Sequence, residues 1–522
     1  MQKIGLSRLI LIIISIVTLA MGIMIFVYPP AVYPDPAHGF QVMRSMEMGG
    51  KFNMITSPDQ SDISKNTSAF LSWWSPGQYL VPYFFKLLFG LNTGQASALT
   101  VTIFELSGLA GFYFFFKKIG FNANIIALSL LFIACQQAFV MPYVFYNGGE
   151  ILLFGFEGWF LYGCLSIKKP GIPLLAFVLL SGWIGFICKS SFMWIYASGL
   201  LCIWLQLSAY DNKLNLQRLI KNGIWLFIPF ATALATIYIF YLSKGINPAS
   251  VSKGLDFSWQ TFSFPLGAPL LAGLSVDDLA HGLIFHPVTP IFSPAYALTI
   301  VIILAILSVM LVAAIMHYVP KKSYRLFLIV FYSMSILFFT VMFLRQQDIS
   351  YESRHFRIIG LLITPGMIYL FSKFKPVYQV ILGLICFCIA FANYAYFITS
   401  YRYNLNSARG NSGLAHGSID QATLNYLMQL DSQNTNAIFV FLTPDISLEI
   451  THNRVATLEE PPYGVPFNYD DYNYTGHAGP IYMLLPTNYN GTKAAILMKL
   501  FSGYSNFSTQ KLSAAYTLYS GR

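Results

Sequence analysis

The sequence predicts an α-helical polytopic membrane protein with about eleven transmembrane helices, followed by a small α/β domain outside the membrane. Three observations predict it. First, 56% of the 522 residues are hydrophobic and only 10% charged, with mean hydropathy +0.59, a balance foreign to soluble domains of this length. Second, apolar runs long enough to cross a bilayer recur through the first 400 residues. Third, basic residues cluster in alternate short loops between those runs. The net charge of +10 therefore reads as membrane topology rather than as a basic face for nucleic acid. All six cysteines, Cys135, Cys164, Cys188, Cys202, Cys386 and Cys388, lie in or at the ends of apolar runs, so neither a disulfide framework nor a zinc knuckle is indicated.

Taken in order, the predicted spans cover residues 9–28, 97–116, 124–141, 150–167, 172–188, 190–207, 222–242, 294–317, 325–344, 356–372 and 377–398. The first follows Lys3 and Arg8 but is too long for the apolar core of a signal peptide, so it reads as an uncleaved span. With the amino terminus inside, the basic loops fall on the cytoplasmic side: Lys117 and Lys118; Lys168 and Lys169; Lys213, Arg218 and Lys221; Lys321, Lys322 and Arg325; Lys373 and Lys375. An odd number of spans then puts a first loop over 29–96 and the carboxyl terminus outside. A second outer loop over 244–293, with Trp259, Phe262, Phe264 and Asp277-Asp278, is too broken for a span and too apolar for a free linker. It packs on the membrane or dips into the protein, as lid or filler.

After Tyr403 the composition turns polar, and 401–522 reads as a separate α/β domain beside the transmembrane domain over 1–400. Helices are predicted over 421–430 and 492–501, strands over 437–442, 481–485 and 513–519. Tyr463, Tyr469, Tyr472 and Tyr474 crowd beside Glu459, Glu460, Asp470 and Asp471; such a loop suits sugar binding, but tyrosine packing is the commoner cause.

The stretch Tyr33–Gly77 carries Asp35 and His38 just beyond the first span and ends in Trp73-Trp74-Ser75-Pro76-Gly77. An acid and an imidazole there, followed by interfacial tryptophans, read as a site at the membrane surface. Carboxylates in or beside spans are costly and tend to be functional. Glu105 and Glu157 read as structural carboxyls; Glu150, after Tyr146-Asn147-Gly148-Gly149 at the water boundary, is the functional candidate. Lys189, in the tight outer turn Cys188-Lys189-Ser190-Ser191, has no topological reason to be there and suits a phosphate headgroup, or a lysine reaching lipid phosphates. Arg354, His355 and Arg357 form a second cationic group at the mouth of the tenth span. A carboxylate at Asp35 with cations at Lys189 and Arg354 meets the needs of transfer from a lipid phosphate: a base for the acceptor and counter-charge for the leaving group.

The order of these features resembles the membrane-embedded GT-C glycosyltransferases, in particular the branch of protein O-mannosyltransferases and lipid A aminoarabinose transferase. Asp35-Pro36-Ala37-His38 running on to Gly49-Gly50 is similar to the family's first-loop acidic motif, and Trp73-Trp74-Ser75-Pro76-Gly77-Gln78-Tyr79 to its aromatic motif. Glu150-Ile151-Leu152-Leu153 resembles its outer acidic position heading a span. Gly185 to Ser190 resembles its lysine turn, and Arg354-His355 with Pro365 its arginine before a proline-containing span. Pro36 stands where a second acid is often found, and His355 where an aromatic is usual. The resemblance implies inverting transfer of a hexosyl or pentosyl group from a polyprenyl-phosphate-linked donor to a glycan, lipid or protein acceptor, on the outer side of a bacterial plasma membrane. It implies Asp35 as base, Glu150 as second base or acceptor-orienting group, and His38, Trp73, Trp74, Lys189, Arg354, His355 and Arg357 as substrate-binding. No metal ligands or cofactor are assigned, and a divalent metal is left open. A secondary transporter or lipid-linked-sugar flippase, with Glu105 and Glu157 relaying protons, is the alternative from another class; a polysaccharide polymerase or ligase is a third.

Overall fold

Eleven helices stand where the apolar runs predict them among the residues that the computed structural model describes, 5–72, 74–210, 213–245, 254–285, 290–458, 472–489 and 491–522. Helix α1 (Leu6–Val27) leads into a short strand β1 (Ala31–Val32), helix α2 (Pro34–Glu47), a hairpin of β2 (Met54–Pro58) and β3 (Asn66–Phe70), and helix α3 (Gly77–Phe89). There follow α4 (Thr93–Ile119), α5 (Ala123–Ala134), α6 (Gln137–Val140), strand β4 (Phe145–Tyr146), α7 (Gly149–Ser166), α8 (Ile172–Cys188) and α9 (Phe192–Ser208). A two-residue pair, β5 (Ala209–Tyr210) with β6 (Lys213–Leu214), precedes α10 (Leu216–Phe240). Then come α11 (Trp259–Gly273), α12 (Val276–Leu279), α13 (Pro294–Tyr318), α14 (Lys322–Leu344), α15 (Arg357–Phe371) and α16 (Pro376–Leu405).

Local chemistry sets several boundaries. Asn92 and Gln95 form a reciprocal capping box at the start of α4, and Asn122 and Asn215 cap α5 and α10 through their side chains. Among the described helices six are long and apolar enough to cross a membrane, or seven if α5 and α6, bent by 68°, make one span. The remaining members of the predicted set, α7, α8, α9 and α15, have 18, 17, 17 and 15 residues. The protein is an integral membrane protein by this set of helices.

Four helices, α2, α3, α11 and α12, stand where the sequence predicts none. Helices α2 and α3 lie in the first loop. Helix α11 fills the second, dipping into the protein despite Pro265 and Pro269 and burying Phe264, Ala268 and Leu271 against α13 and α15. Proline disrupts the backbone ladder, and here the polar groups near Pro269 are served from outside. The Leu266 carbonyl accepts from the Tyr332 hydroxyl at 2.6 Å, and Ser308 Oγ accepts from Leu270 N–H at 3.3 Å and donates to the Gly267 carbonyl at 3.2 Å.

Beyond α16, helix α17 (Gln421–Gln433), strands β7 (Ile438–Phe441), β8 (Arg454–Thr457) and β9 (Ile481–Pro486), helix α18 (Thr492–Lys499), and strands β10 (Ser508–Lys511) and β11 (Tyr516–Gly521) complete the chain. The sheet order is β10-β11-β9-β7-β8, with β7 parallel to β8 and β9, and β11 antiparallel to β9 and β10. Strand β7 is buried on both faces: Phe439 and Phe441 pack toward Leu424 and Leu427 of α17, Ile438 and Val440 toward Ala494 and Leu497 of α18. The crowded tyrosine loop over 459–471 lies outside the described residues, apart from Tyr472 and Tyr474 at its end; Tyr474 stacks on Phe501 at 4.9 Å.

This sheet and the first loop meet on one face of the helix bundle. Buried Arg44 of α2 donates at 2.5 Å to each of the Ile450 and Asn453 carbonyls, and Gln41 bonds Ser447 and Thr457 at 3.0 Å. Arg409 donates to the Pro29 carbonyl at 2.6 Å, and Gly94 N–H to the Ser412 carbonyl at 2.8 Å. The same seam holds a buried charge cluster. His416 lies 2.7 Å from Glu449 and 3.4 Å from Asp445, and Glu449 also accepts from Ser412 N–H at 3.0 Å and from the Ser412 hydroxyl. Burial alone would neutralise the imidazole; the hydrogen bonds and charges of Asp445 and Glu449 outweigh it and raise the pKa to about 9. A raised folded-state pKa stabilises fully below the unfolded value and fades as pH climbs through the folded one, a span worth on the order of 3 kcal/mol. The unfolding midpoint is therefore expected to fall between pH 6.5 and 9, more steeply than in His416→Asn; matching slopes in the two proteins would show that His416 is not charged.

Candidate active site

Two short pairings bring the candidate acids together. Strands β1 and β4 pair in parallel, Ala31 with Phe145 and Val32 with Tyr146, and Tyr33 N–H donates to the Tyr146 carbonyl at 3.0 Å. Helices α2 and α7 therefore start side by side, each with an acid in its first turn: Asp35 in one, Glu150 in the other. The Gly148-Gly149 dipeptide makes the approach sterically feasible. Gly148 has φ +74°, and a Cβ there would lie 2.5 Å from Gln78 Oε1 and 3.3 Å from Pro36 Cγ. A Cβ on Gly149 would lie 2.7 Å from the Cys188 carbonyl and 3.3 Å from Lys189 Cβ. The start of α2 thus fits on one side of Glu150, and the turn between α8 and α9 on the other.

Lys189, extended at the end of α8, places Nζ 2.5 Å from Glu150 Oε1. Arg354, in the 3-10 turn Ser353–Phe356 before α15, places Nη1 3.6 Å from the same oxygen and pairs through Nε with Glu352. Burial works against the Arg354 charge, but Glu150, Glu352 and Asp35 outweigh it and hold the guanidinium protonated more firmly than usual. Asp35 is half-buried within electrostatic reach of Arg354, Glu150, His38 and Lys189. Burial pushes its carboxyl above the ordinary range; Arg354 is the strongest opposing influence, Glu150 adds to the rise, and His38 and Lys189 oppose it. His38 stacks on Trp74 with ring centroids 5.2 Å apart. The Trp74 carbonyl lies 2.9 Å from the Tyr241 hydroxyl at the end of α10, which also contacts Tyr79 at 3.2 Å. Trp73 lies outside the described residues.

The expected Arg354, His355 and Arg357 group divides. Arg354 alone of the three faces Glu150 and Asp35 as a cation. His355 packs against Phe339 at 5.8 Å, and burial, reinforced by Arg354 and Lys189, keeps its imidazole neutral. Arg357 turns into the bundle: its guanidinium lies 4.3 Å over the Phe154 ring, 3.9 Å from Glu105 and 3.5 Å from the Glu150 carbonyl. Its partners thus lie on the bundle side of the cluster, unlike those of Arg354. Glu105 and Glu157 are both buried, and neither Glu105 oxygen has a hydrogen-bond partner among the described residues. Glu105 comes close to α7 because that helix and α4 meet through small residues: a Cβ on Gly111 would lie 2.9 Å from Trp159 N, and Ser107 Oγ donates to the Gly155 carbonyl at 3.0 Å.

The Asp277-Asp278 pair, read from sequence only as part of a long loop, grips Ser353 next to Arg354. Among the described residues, no three His, Cys, Asp or Glu side chains gather as a metal-ligand set. A separate apolar groove of about 480 Å³, between Trp204, Leu219, Gly223 and Phe227, lies at the opposite end of α9 and α10.

No protein-family model matches the sequence, and no curated protein matches it. Solved structures do. ArnT from Cupriavidus metallidurans bound to undecaprenyl phosphate is similar at 12% identity with a TM-score of 0.52, over 98% of this chain and 97% of that one. The oligosaccharyltransferase AglB from Archaeoglobus fulgidus, in complex with an inhibitory peptide and a dolichol-phosphate, matches at 12% identity and TM-score 0.47, over 98% and 74% of the two chains. The arabinofuranosyltransferase AftD from Mycobacteria matches at 12% identity and TM-score 0.46, over 99% and 40%. The first of these carries the fold assignment: the chain has the GT-C fold over nearly its whole length.

Glu150 is the hub of the charged cluster, with side-chain exposure of 11% against 19% for Lys189. Lys189→Met leaves it facing Arg354 alone and is expected to cost about 2 kcal/mol, read as a lower unfolding midpoint in detergent. The double variant Lys189→Met with Glu150→Gln should recover most of that loss; additive losses would show that the pair does not hold the turn.

Proposed function

We propose that the protein is an inverting glycosyltransferase, moving a sugar from a polyprenyl-phosphate-linked donor to an acceptor on the extracytoplasmic side of a bacterial plasma membrane. One observation carries the reading: on a GT-C fold, Asp35, Lys189 and Arg354, from three distant parts of the chain, converge around Glu150 on one face of the bundle. The lysine- and arginine-rich loops lie at the other end of the same helices, which supports a cytoplasmic amino terminus and an extracytoplasmic site. The undecaprenyl phosphate bound to ArnT supports a lipid phosphate as the donor's leaving group.

In this mechanism Asp35, a carboxylate made more basic by burial, accepts the proton of the acceptor hydroxyl or amine. The acceptor atom bonds to the anomeric carbon from the face opposite the phosphate, and the bond from that carbon to the phosphate oxygen breaks. The electron pair leaves with the lipid phosphate, whose charge Lys189 and Arg354 meet. Glu150, already engaged by both cations, holds them at one place and orients the acceptor, while Asp35 is the base. His38 and Trp74 offer a flat wall to the sugar ring. Residues 401–522, joined to the first loop through Arg44 and Gln41, form a domain that caps this face.

The test uses purified protein in liposomes without an ion gradient, supplied with lipid-linked sugars extracted from a deletion strain, with mass spectrometry of product and released lipid phosphate. Asp35→Asn is expected to lower transfer by at least about 100-fold while leaving undecaprenyl phosphate bound. Near-normal transfer by that variant would remove Asp35 as base, and uptake without covalent product once an ion gradient is imposed on the same liposomes would favour a transporter.

A further inference from the structure

Helix α12 sits between two residues with left-handed backbone, Ser275 at φ +52° and His281 at φ +56°, neither of them glycine. This sharply folded segment presents Asp277, 2% exposed, to the turn that bears Arg354. Asp277 accepts two backbone N–H groups at once, Ser353 at 2.7 Å on Oδ2 and Leu283 at 2.9 Å on Oδ1. Asp278 accepts from the Ser353 hydroxyl at 3.0 Å. Ser353 is itself buried and lies between Glu352 and Arg354, so fixing it fixes where both neighbouring side chains begin.

The arrangement is electrostatically expensive. Burial raises Asp277 to about 6 and Asp278, helped by its neighbour, to about 7, with Glu352 adding to both and Arg357 relieving Asp278. A turn needing only mechanical support could use a neutral amide, but an amide offers one acceptor oxygen, and its NH2 would face a donor. Two carboxylates beside a third keep Ser353 held and leave the next residue, Arg354, directed at Glu150. The second outer loop, read from sequence as lid or filler, thus reaches the charged cluster from behind.

We propose that Asp277 is a positioning residue for Arg354: it anchors the 353–356 turn so that the guanidinium is presented to the cluster of Glu150 and Asp35. The role of Arg354 toward a lipid phosphate rests on the proposed function; the anchoring does not. Two measurements on the full-length protein separate them. Hydrogen exchange of the Ser353–Phe356 amides should accelerate in Asp277→Asn while α13 and α14 keep their protection; unchanged exchange overturns the proposal whatever the protein binds. Binding of undecaprenyl phosphate should weaken about tenfold in Asp277→Asn and about tenfold in Arg354→Gln, the scale of a hydrogen bond to a charged group. The double variant should bind no worse than Arg354→Gln alone, because one acts through the other. A combined loss of about 100-fold would make the two independent and overturn the positioning role. Should Asp277→Asn not fold, Asp278→Ala removes the Ser353 hydroxyl's partner and is read the same way. Wild-type protein that fails to bind undecaprenyl phosphate sinks the proposed function, and the exchange result still decides the anchoring.

Discussion

A carboxylate at the head of a helix and largely out of water must find counter-charge, and Glu150 finds it twice on one oxygen. That requirement draws the turn between α8 and α9 and the turn before α15 to the same point, although their residues are far apart along the chain. Most other features of the site face are conditions for this contact. The two glycines before Glu150 give its neighbours room, the β1–β4 pairing sets Asp35 beside it, and Tyr241 supports the Trp74 segment that closes the side.

Beside the Glu150 cluster lies a second charged layer with different partners. Arg357 and Glu105 face each other inside the bundle, with Phe154 under the guanidinium and glycine-mediated contact between α4 and α7 holding them near. The outer layer includes half-buried Asp35, an acid with raised basicity, whereas Glu105 of the inner layer is fully buried. Arginines three residues apart thus serve different partners: Arg354 the Glu150 and Glu352 carboxylates, Arg357 the Glu105 carboxylate and the Phe154 ring.

The region after α16 shares its fold with the first loop more than its position in the sequence suggests. Ile63 is part of the cluster on one face of the sheet, and Arg44 is buried against the carbonyls before β8. A buried guanidinium bonded to two carbonyls ties the seam across, and a histidine between two carboxylates braces its sheet side. The acid-bearing helix α2 is thereby held from both sides, by the bundle below and the sheet above.

The positions of the eleven apolar helices, of α17, α18 and of strands β7 and β9 were legible because each depends on local pattern: a long apolar run, or a short buried run bounded by turns. Helices α2, α3 and α11 were not, since their burial comes from partners remote in sequence, and the prolines of α11 are tolerated only because Ser308 and Tyr332 serve its backbone. Among the site residues, the sequence pointed to Asp35, Glu150, Lys189 and Arg354 as ionisable groups at helix mouths, where charge is costly without purpose. It could not say that Lys189 pairs with Glu150, that Arg357 turns inward, that His355 is neutral, or that Asp277 holds Ser353. Residue type and spacing determine which groups are costly to bury; only the packed chain decides which of them meet, because pairing depends on backbone directions and distances that no local window contains.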